Sequence, residues 1–352
     1  MKTMLDYINI ESSINESILE NYDFSAFISK TKNRNYRDVI IYATGSSSNA
    51  ATSAYIFMEE VLKIPVYIKE PSIAMHYETK LNKDSLYIAI SQGGRSSSTI
   101  DLVKQFQDKQ LEIFTITSDL KSPIAKISEN LIDLGMGIEE VPYVTAGYTA
   151  TILVLWLLCL EFAAENKIIP IVSKNKYIKE IKNTVSFADK VIDSTNQWFA
   201  KYKKELLKKN RYVFIGYGSC YGVACEAETK FTELLHLAAH SYELEEYMHG
   251  PYLGLLEDDA LFLIDSNGKL SQRMKRLRTF LDRHMDKNYL VISHTKERES
   301  DLNFDISIIE NLSPLILTIP FHLISYYISQ EKSIDLTTSY YPDFDKITKS
   351  KI

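Results

Sequence analysis

The chain has 352 residues, of which 45% are hydrophobic and 24% charged, a composition that excludes a disordered or fibrous protein and leaves room for two domains of ordinary size. A formal net charge of −6, with no long run of Lys or Arg, argues against nucleic acid as a partner. Its three cysteines, Cys159, Cys220 and Cys225, are too few and too unevenly placed for a disulfide framework or a four-thiolate zinc site, and they fit a reducing compartment.

The first residues lack the apolar core and small-residue cleavage site of a signal peptide, so the expected location is the cytoplasm. Residues 1–35 form a polar, helical lead-in. The run from Asp38 to Ala43 reads as a strand that ends in Thr44-Gly-Ser-Ser-Ser-Asn, and an apolar-periodic helix follows to about Leu62. Further strands are expected at Val66–Ile68, Ser85–Ile90, Glu112–Thr117 and Leu131–Leu134, separated by helical segments such as Ser97–Gln107. This alternation implies a parallel sheet. An apolar helix, Thr145–Ala164, closes the first half. Its longest apolar run, Ala150–Leu160 with one Thr, falls short of the ~18 consecutive apolar residues of a membrane span, so it reads as a buried helix and no membrane partner is expected.

Residues 166–210 are poor in glycine and rich in charge, and read as a long amphipathic connecting helix. A second alternating set follows, with strands expected at Tyr212–Ile215, Ala260–Ile264, Tyr289–Ser293 and Ile306–Ile308 and helices at Cys220–Leu237, Leu270–Met285 and Pro314–Ser329. Both halves open with an apolar strand, a Gly-Ser turn and a helix, as an ancient duplication predicts.

In the second half, Glu226, Lys230 and Glu233 fall at i, i+4 and i+7 of the expected helix, which puts two carboxylates and an ammonium on one face; His249-Gly-Pro lies sixteen positions past Glu233. A solvated, salt-bridged face gives the same spacing. In the first half, Gly45-Ser46-Ser47-Ser48 and Ser91-Gln92-Gly93-Gly94-Arg95-Ser96 each follow a strand and precede a helix. Hydroxyls and free N–H groups at a helix N-terminus make a seat for a phosphate dianion, although serines there also serve as simple caps and turn formers. Neither loop fits a Walker A sequence, and there is no GxGxxG, so nucleotide-dependent chemistry is not indicated.

Taken together, Gly45-Ser46-Ser47, Ile90-Ser91-Gln92-Gly93-Gly94, Glu226-x3-Lys230-x2-Glu233 and His249-Gly-Pro resemble the tandem sugar-isomerase (SIS) family. Within it they are similar to the isomerase half of glucosamine-6-phosphate synthase and to fructosamine-6-phosphate deglycases. The resemblance implies an α/β fold of two SIS domains, each a parallel sheet flanked by helices in a flavodoxin-like three-layer sandwich. The expected organisation is a lead-in at 1–35, a first domain at 36–168, a helical connector at 169–210, a second domain at 211–335 and a tail at 336–352 over the active site.

By the same resemblance, Ser46, Ser47, Ser91, Gln92 and Ser96 hold a sugar phosphate and Glu233 shuttles a proton between C1 and C2. Glu226 and Lys230 assist with hydroxyls and charge. His249 opens the sugar ring, reaching into a neighbouring subunit's site, so a homodimer with shared sites is implied. The tail lysine is best matched by Lys349. The chemistry is consistent with these roles: aldose–ketose interconversion needs one base to take a proton α to a carbonyl and return it to the adjacent carbon, and no metal or organic cofactor. His249 can exchange protons near neutral pH.

The sequence departs from the synthase pattern in two places. Gly93-Gly94-Arg95 stands where that pattern has Ser-Gly-Glu, and Val144-Thr145-Ala146 where it has Ser-Thr-Lys. No amidotransferase segment precedes the sugar domains in this sequence, which turns the expectation from synthesis toward isomerisation or deglycation of a 6-phosphorylated ketose or its amine adduct, with Arg95 reading a carboxylate on the amine. A noncatalytic sugar-phosphate-binding regulator is the alternative. His236 and His240 share the spacing of zinc helices, but Leu237 replaces the Glu of HExxH, which argues against metal. Cys220 has no base placed by sequence to activate it and reads as a turn-lining thiol.

Overall fold

The computed structural model describes residues 2–78, 80–284, 289–294 and 298–352. The chain divides into two compact units, Ser13–Lys179 with Thr338–Ile352, and Lys2–Ser12 with Glu180–Thr337. The lead-in is thus divided between them, and the tail belongs to the first unit.

The lead-in helices are α1 (Met4–Asn9), α2 (Glu11–Asn21) and α3 (Ser25–Thr31). The first unit then alternates β1 (Asp38–Tyr42), α4 (Ser46–Leu62), β2 (Val66–Lys69), α5 (Pro71–Tyr77), β3 (Ser85–Ile90), α6 (Ser97–Asp108), β4 (Phe114–Thr117), α7 (Pro123–Ile127), β5 (Leu131–Asp133) and α8 (Ala146–Glu165). All its strands are parallel, in the order β2-β1-β3-β4-β5, the flavodoxin-like arrangement. β1, β3 and β4 are buried throughout, as their unbroken apolar runs require of strands covered on both faces. On one face Ile40, Tyr42, Tyr87 and Ala89 pack with Ile100, Val103 and Phe106 of α6 and Ile124 of α7. On the other, Phe114, in register with Ile88, meets Phe27 of α3 edge-on at 4.8 Å.

Apolar on every side, α8 leaves no stripe for water and is buried for almost its whole length. By length and composition it could cross a membrane, as could the stretch Glu310–Glu331, but 94% and 89% of the respective windows lie inside the protein. Trp156 of α8 donates its indole N–H to the Ala54 carbonyl of α4 at 3.3 Å, so the buried ring is satisfied.

The expected connector of 166–210 is two helices, α9 (Ile171–Val185) and α10 (Ala188–Leu206). Around Ser186 the turn tightens, with Phe187 N–H bonding the Thr184 carbonyl and the Ser186 hydroxyl bonding the Asn183 carbonyl. The change to a three-residue bond marks the end of α9 before α10 begins. The second unit continues with β6 (Arg211–Gly216), α11 (Cys220–Leu235), β7 (Ala238–Glu243), α12 (Leu244–Met248), a 3₁₀ turn at Pro251–Gly254, β8 (Ala260–Asp265), α13 (Ser271–His284), β9 (Leu290–Ser293), β10 (Leu302–Asn303) and a 3₁₀ turn at Glu310–Leu312. It ends in α14 (Pro314–Leu317) and α15 (Ile319–Glu331), and α16 (Phe344–Thr348) lies in the tail. Its strands are also all parallel, in the order β10-β9-β8-β6-β7, the same topology as the first unit read from the other edge.

Several expectations need correction. The edge strand β7 was not foreseen, because it alternates small and polar residues with only Ala239 and its partly buried neighbours facing inward. The strand expected at Ile306–Ile308 is irregular, and the pairing lies upstream in the two-residue β10. The helix expected at Pro314–Ser329 is broken at Thr318, where Pro320 removes an N–H and crowds the preceding turn. The end of the helix expected to reach Met285 lies outside the described residues.

Candidate functional site

In the first unit β1 and β3 are neighbours, and the chain leaves them toward opposite edges of the sheet, which opens a crevice at their carboxyl ends. Gly45, at φ 58, turns the chain so that Ser46 and Ser47 become the first residues of α4. After β3 the chain closes a tight turn, Gly94 N–H to the Ser91 carbonyl at 2.9 Å, and Ser96 stands at the N-cap of α6. All five serine and glutamine candidates, Ser46, Ser47, Ser91, Gln92 and Ser96, line one cavity of ≈ 450 Å³. A larger cavity of ≈ 640 Å³ lies among Arg37, Tyr67, Glu78 and Lys83 at the amino ends of the same strands. In open parallel sheets, however, ligands take the carboxyl edge.

Gln92 is held in place. Its side-chain amide donates to Glu139 Oε2 at 3.0 Å, while its carbonyl accepts from Ser118 N–H and Oγ, both at 2.8 Å. Glu139 in turn accepts from Thr145 N–H and Ala146 N–H at 3.0 Å and from Gly147 N–H at 3.4 Å, so one carboxylate caps α8 and orients Gln92. Gly147 is needed for this, since a Cβ there would overlap the Gln92 amide. Ala146, which stands where the synthase pattern has a lysine, is the first residue of α8 and contributes only its N–H.

The tail meets the same loop. Ser97 N–H donates to the Ser350 carbonyl at 3.1 Å, Ile352 N–H to the Arg95 carbonyl at 3.0 Å, and Ser97 Oγ to the Lys349 carbonyl at 2.6 Å. Lys349, at φ 54, ends α16 and bonds the loop through its backbone; the tail lysine that lines the cavity is Lys351. Arg95 directs its guanidinium to the Ile352 carbonyl at 3.4 Å.

In the second unit Glu226, Lys230 and Glu233 all lie on α11, as their spacing predicts. Lys230 is fully buried, with Nζ 2.7 Å from Glu233 and 3.5 Å from Glu226. Glu226 is fully buried as well, whereas the Glu233 side chain is 41% exposed. The three charges therefore run from core to surface. Behind them is a residue that the sequence reading missed: His322 of α15, fully buried, with Nε2 3.6 Å from Glu226 Oε1. Burial lowers the His322 pKa against the pull of Glu226, so the imidazole is neutral at pH 7. The available signal was one histidine inside the apolar run Pro320-Phe-His-Leu-Ile, which by itself reads as a core position.

His249 caps the C-terminus of α12 with a 75% exposed side chain, 4.0 Å from Glu245, which Arg273 also binds at 2.6 Å. Arg273 keeps the Glu245 carboxyl below its ordinary range. His236 and His240 do not share a helix: His236 ends α11 at φ 53 and His240 is on β7. Cys220 is buried at the start of α11, and desolvation pushes its thiol far above the ordinary range, away from the thiolate a nucleophile needs.

This pair of like-built units is matched by known proteins. The SIS domain family model matches residues 34–161 and 205–329. Glutamine–fructose-6-phosphate aminotransferase [isomerizing] of Clostridium tetani is 24% identical over 88% of this chain and 51% of its own length. The chain spans about half the length of the curated relatives it matches. A Clostridium difficile structure, described as that of a candidate phosphosugar isomerase, superposes with a TM-score of 0.89 at 25% identity, covering 99% of this chain and 98% of that one. The C-terminal domain of glucosamine-fructose-6-phosphate aminotransferase from Francisella tularensis superposes with a TM-score of 0.83 at 18% identity, covering 95% and 97%. With the matches falling on both units and covering most of the chain, the protein belongs to the SIS-domain family, as a tandem of two such domains.

Proposed function

We propose that the protein is a phosphosugar isomerase or deglycase that moves a proton between C1 and C2 of a 6-phosphorylated ketose or its amine adduct. The observation that carries this reading is the buried Lys230, which binds the 41% exposed Glu233 at 2.7 Å and so fixes the position of a carboxylate base at the edge of solvent. The hydroxyl-lined cavity at the N-termini of α4 and α6 is the phosphate seat, formed by Ser46, Ser47, Ser91, Gln92 and Ser96.

In the isomerase reaction Glu233 removes the C1 proton of the open-chain ketose, the electrons pass into a 1,2-enediol, and the proton returns to C2 to give the aldose. With an amine on C1 the same transfer runs through an enaminol to a C1 imine, and water then releases amine and aldose phosphate. Glu226 is turned inward to Lys230 and His322, so it acts through Lys230 and not on a sugar hydroxyl. In a homodimer, His249 of the partner subunit opens the sugar ring, a role to which its exposed position at the end of α12 lends itself.

The test incubates the protein in D₂O with a panel of 6-phosphorylated ketoses and fructosamines, following deuterium at C1 and C2 and amine release by NMR. Exchange that falls about 10²–10⁴-fold in Glu233→Gln supports the reading. Amine release assigns deglycase over isomerase. Ligand binding without any exchange across the panel would favour the regulator instead. Equal mixtures of Glu233→Gln and His249→Ala protein regain activity only if sites are shared between subunits.

A further inference from the structure

We propose that Lys351, rather than the Lys349 singled out by the family resemblance, is the tail residue that serves the first unit's cavity, and that its ammonium is the cation paired with the bound phosphate. This rests on reading the cavity as a phosphate seat. It adds a cation to a seat whose loops supply hydroxyls, N–H groups and one guanidinium, that of Arg95, which is turned to the Ile352 carbonyl.

The argument begins with backbone geometry. Ser96 and Lys351 form an antiparallel bridge, and the flanking bonds are Ser97 N–H to the Ser350 carbonyl and Ile352 N–H to the Arg95 carbonyl. Residues 96 and 351 are therefore a non-hydrogen-bonded pair, the type whose side chains approach most closely and project to the same face. The Ser96 side belongs to the cavity, and Lys351 lines it too. Lys349 cannot follow this alternation. Its left-handed backbone ends α16, and its carbonyl is held by the Ser97 hydroxyl.

Charge points the same way. The cavity also contains Asp119, Glu139, Arg95 and Lys351. Glu139 is occupied by the N-terminus of α8 and by Gln92, and Arg95 reaches the Ile352 carbonyl. Among the described residues Lys351 makes a long, solvent-exposed pair, 3.8 Å from Asp345, with side chains 62% and 49% exposed. Such a pair contributes little and is readily exchanged for a dianion held by fixed N–H groups. The flexible stem of lysine suits a point charge that closes on phosphate after it has entered. A tail held by backbone bonds on each side of residue 351 sets the stem's origin without fixing its tip.

Isothermal titration of the whole chain with inorganic phosphate at low salt tests this. Lys351→Ala is expected to weaken binding about 10-fold or more, Lys351→Arg to stay within about 3-fold of the unaltered protein, and Lys346→Ala, a tail charge on α16, to stay within about 2-fold. Equal binding by Lys351→Ala and the unaltered protein, or equal losses in Lys351→Ala and Lys346→Ala, overturns the assignment. Failure of the underlying reading looks different: either the unaltered protein does not bind phosphate, or Ser91→Ala binds it undiminished. All these side chains but Ser91 are exposed, so folding is not at risk, and a thermal melt of each variant verifies it.

Discussion

The two units end their central strands in loops of the same plan, yet one crevice is open and hydroxyl-lined while the other is filled by the protein's own carboxylates. The registers make the loops comparable: Tyr42 pairs with Ala89 as Ile215 pairs with Leu263, with Gly45-Ser46 and Gly218-Ser219 following at the same distance. Ser91 in the first unit therefore corresponds to Asp265 in the second, Gln92 to Ser266, Gly94 to Gly268 and Ser118 to His294. Asp265, 2% exposed, accepts from Tyr217 OH at 2.5 Å, Asn267 N–H at 2.8 Å and Ser271 Oγ at 3.1 Å.

Each unit also carries an acid shortly before the apolar helical segment that follows its last strand, and the two acids face opposite ways. Glu139 turns to the N-terminus of α8 and to Gln92. Glu310 instead lies against the loop after β8, accepting from Lys269 N–H at 3.2 Å and seated so closely over Gly268 that a Cβ there would displace its carboxylate. A buried carboxylate on backbone N–H groups is an internal substitute for an anionic ligand. On the proposed reading, a duplicated fold can thus keep one anion seat by filling the other from within.

The comparison can be broken by exchanging residues between the two loops. The largest effect is expected from Ser91→Asp, which puts the second unit's carboxylate where the proposed phosphate would sit in the first unit. Like charges at contact cost several kcal/mol, so phosphate affinity should fall about 1,000-fold at pH 7, and calorimetric binding retained within 10-fold would sink the assignment of the open crevice.

The reverse exchange, His294→Ser, is read by pH. Burial lowers the His294 pKa to about 4 although Asp265 opposes it. As pH falls through 6.5 the unfolded chain takes up a proton that the folded chain resists down to about 4, so between these values stability declines, by up to about 3 kcal/mol from this group. Denaturant melts from pH 7 to 4 should show a shallower decline in the variant. A residual slope of the same sign is expected from His322, whose pKa is also lowered by burial. Identical slopes in variant and parent would mean that His294 is not buried in its neutral form.

The smallest effect sharpens the picture of the open seat. Gly147→Ala displaces the Gln92 amide from Glu139 and should weaken phosphate binding about 5-fold, while the helix itself gains from alanine by up to about 1 kcal/mol. Weaker binding at an unchanged or raised melting temperature is the expected signature. Loss of both would indicate a packing defect in α8.

Much of this was legible in the chain. Unbroken apolar runs such as the one at 38–43 mark strands covered on both faces, and α8, apolar on every side, could only be a core helix. The i, i+4, i+7 spacing of Glu226, Lys230 and Glu233 was correct because helical period fixes it locally. His322 was invisible, since its proximity to Glu226 depends on how α15 packs on α11, ninety-six positions further along the chain. The edge strand β7 was missed for a related reason, since its pairing with β6 is settled by a partner outside the local period.

By itself the sequence determined the strand-and-helix alternation, the twofold plan, the serine loops and the charged face of α11, because each rests on periodicity or on turn chemistry over a few residues. Tertiary structure alone decided which loop is open and which is filled, which acid turns to its helix and which to its loop, and which tail lysine reaches the cavity. Those outcomes turn on contacts between segments far apart in the chain, where a single register or one carboxylate's rotation reverses what the same residues do.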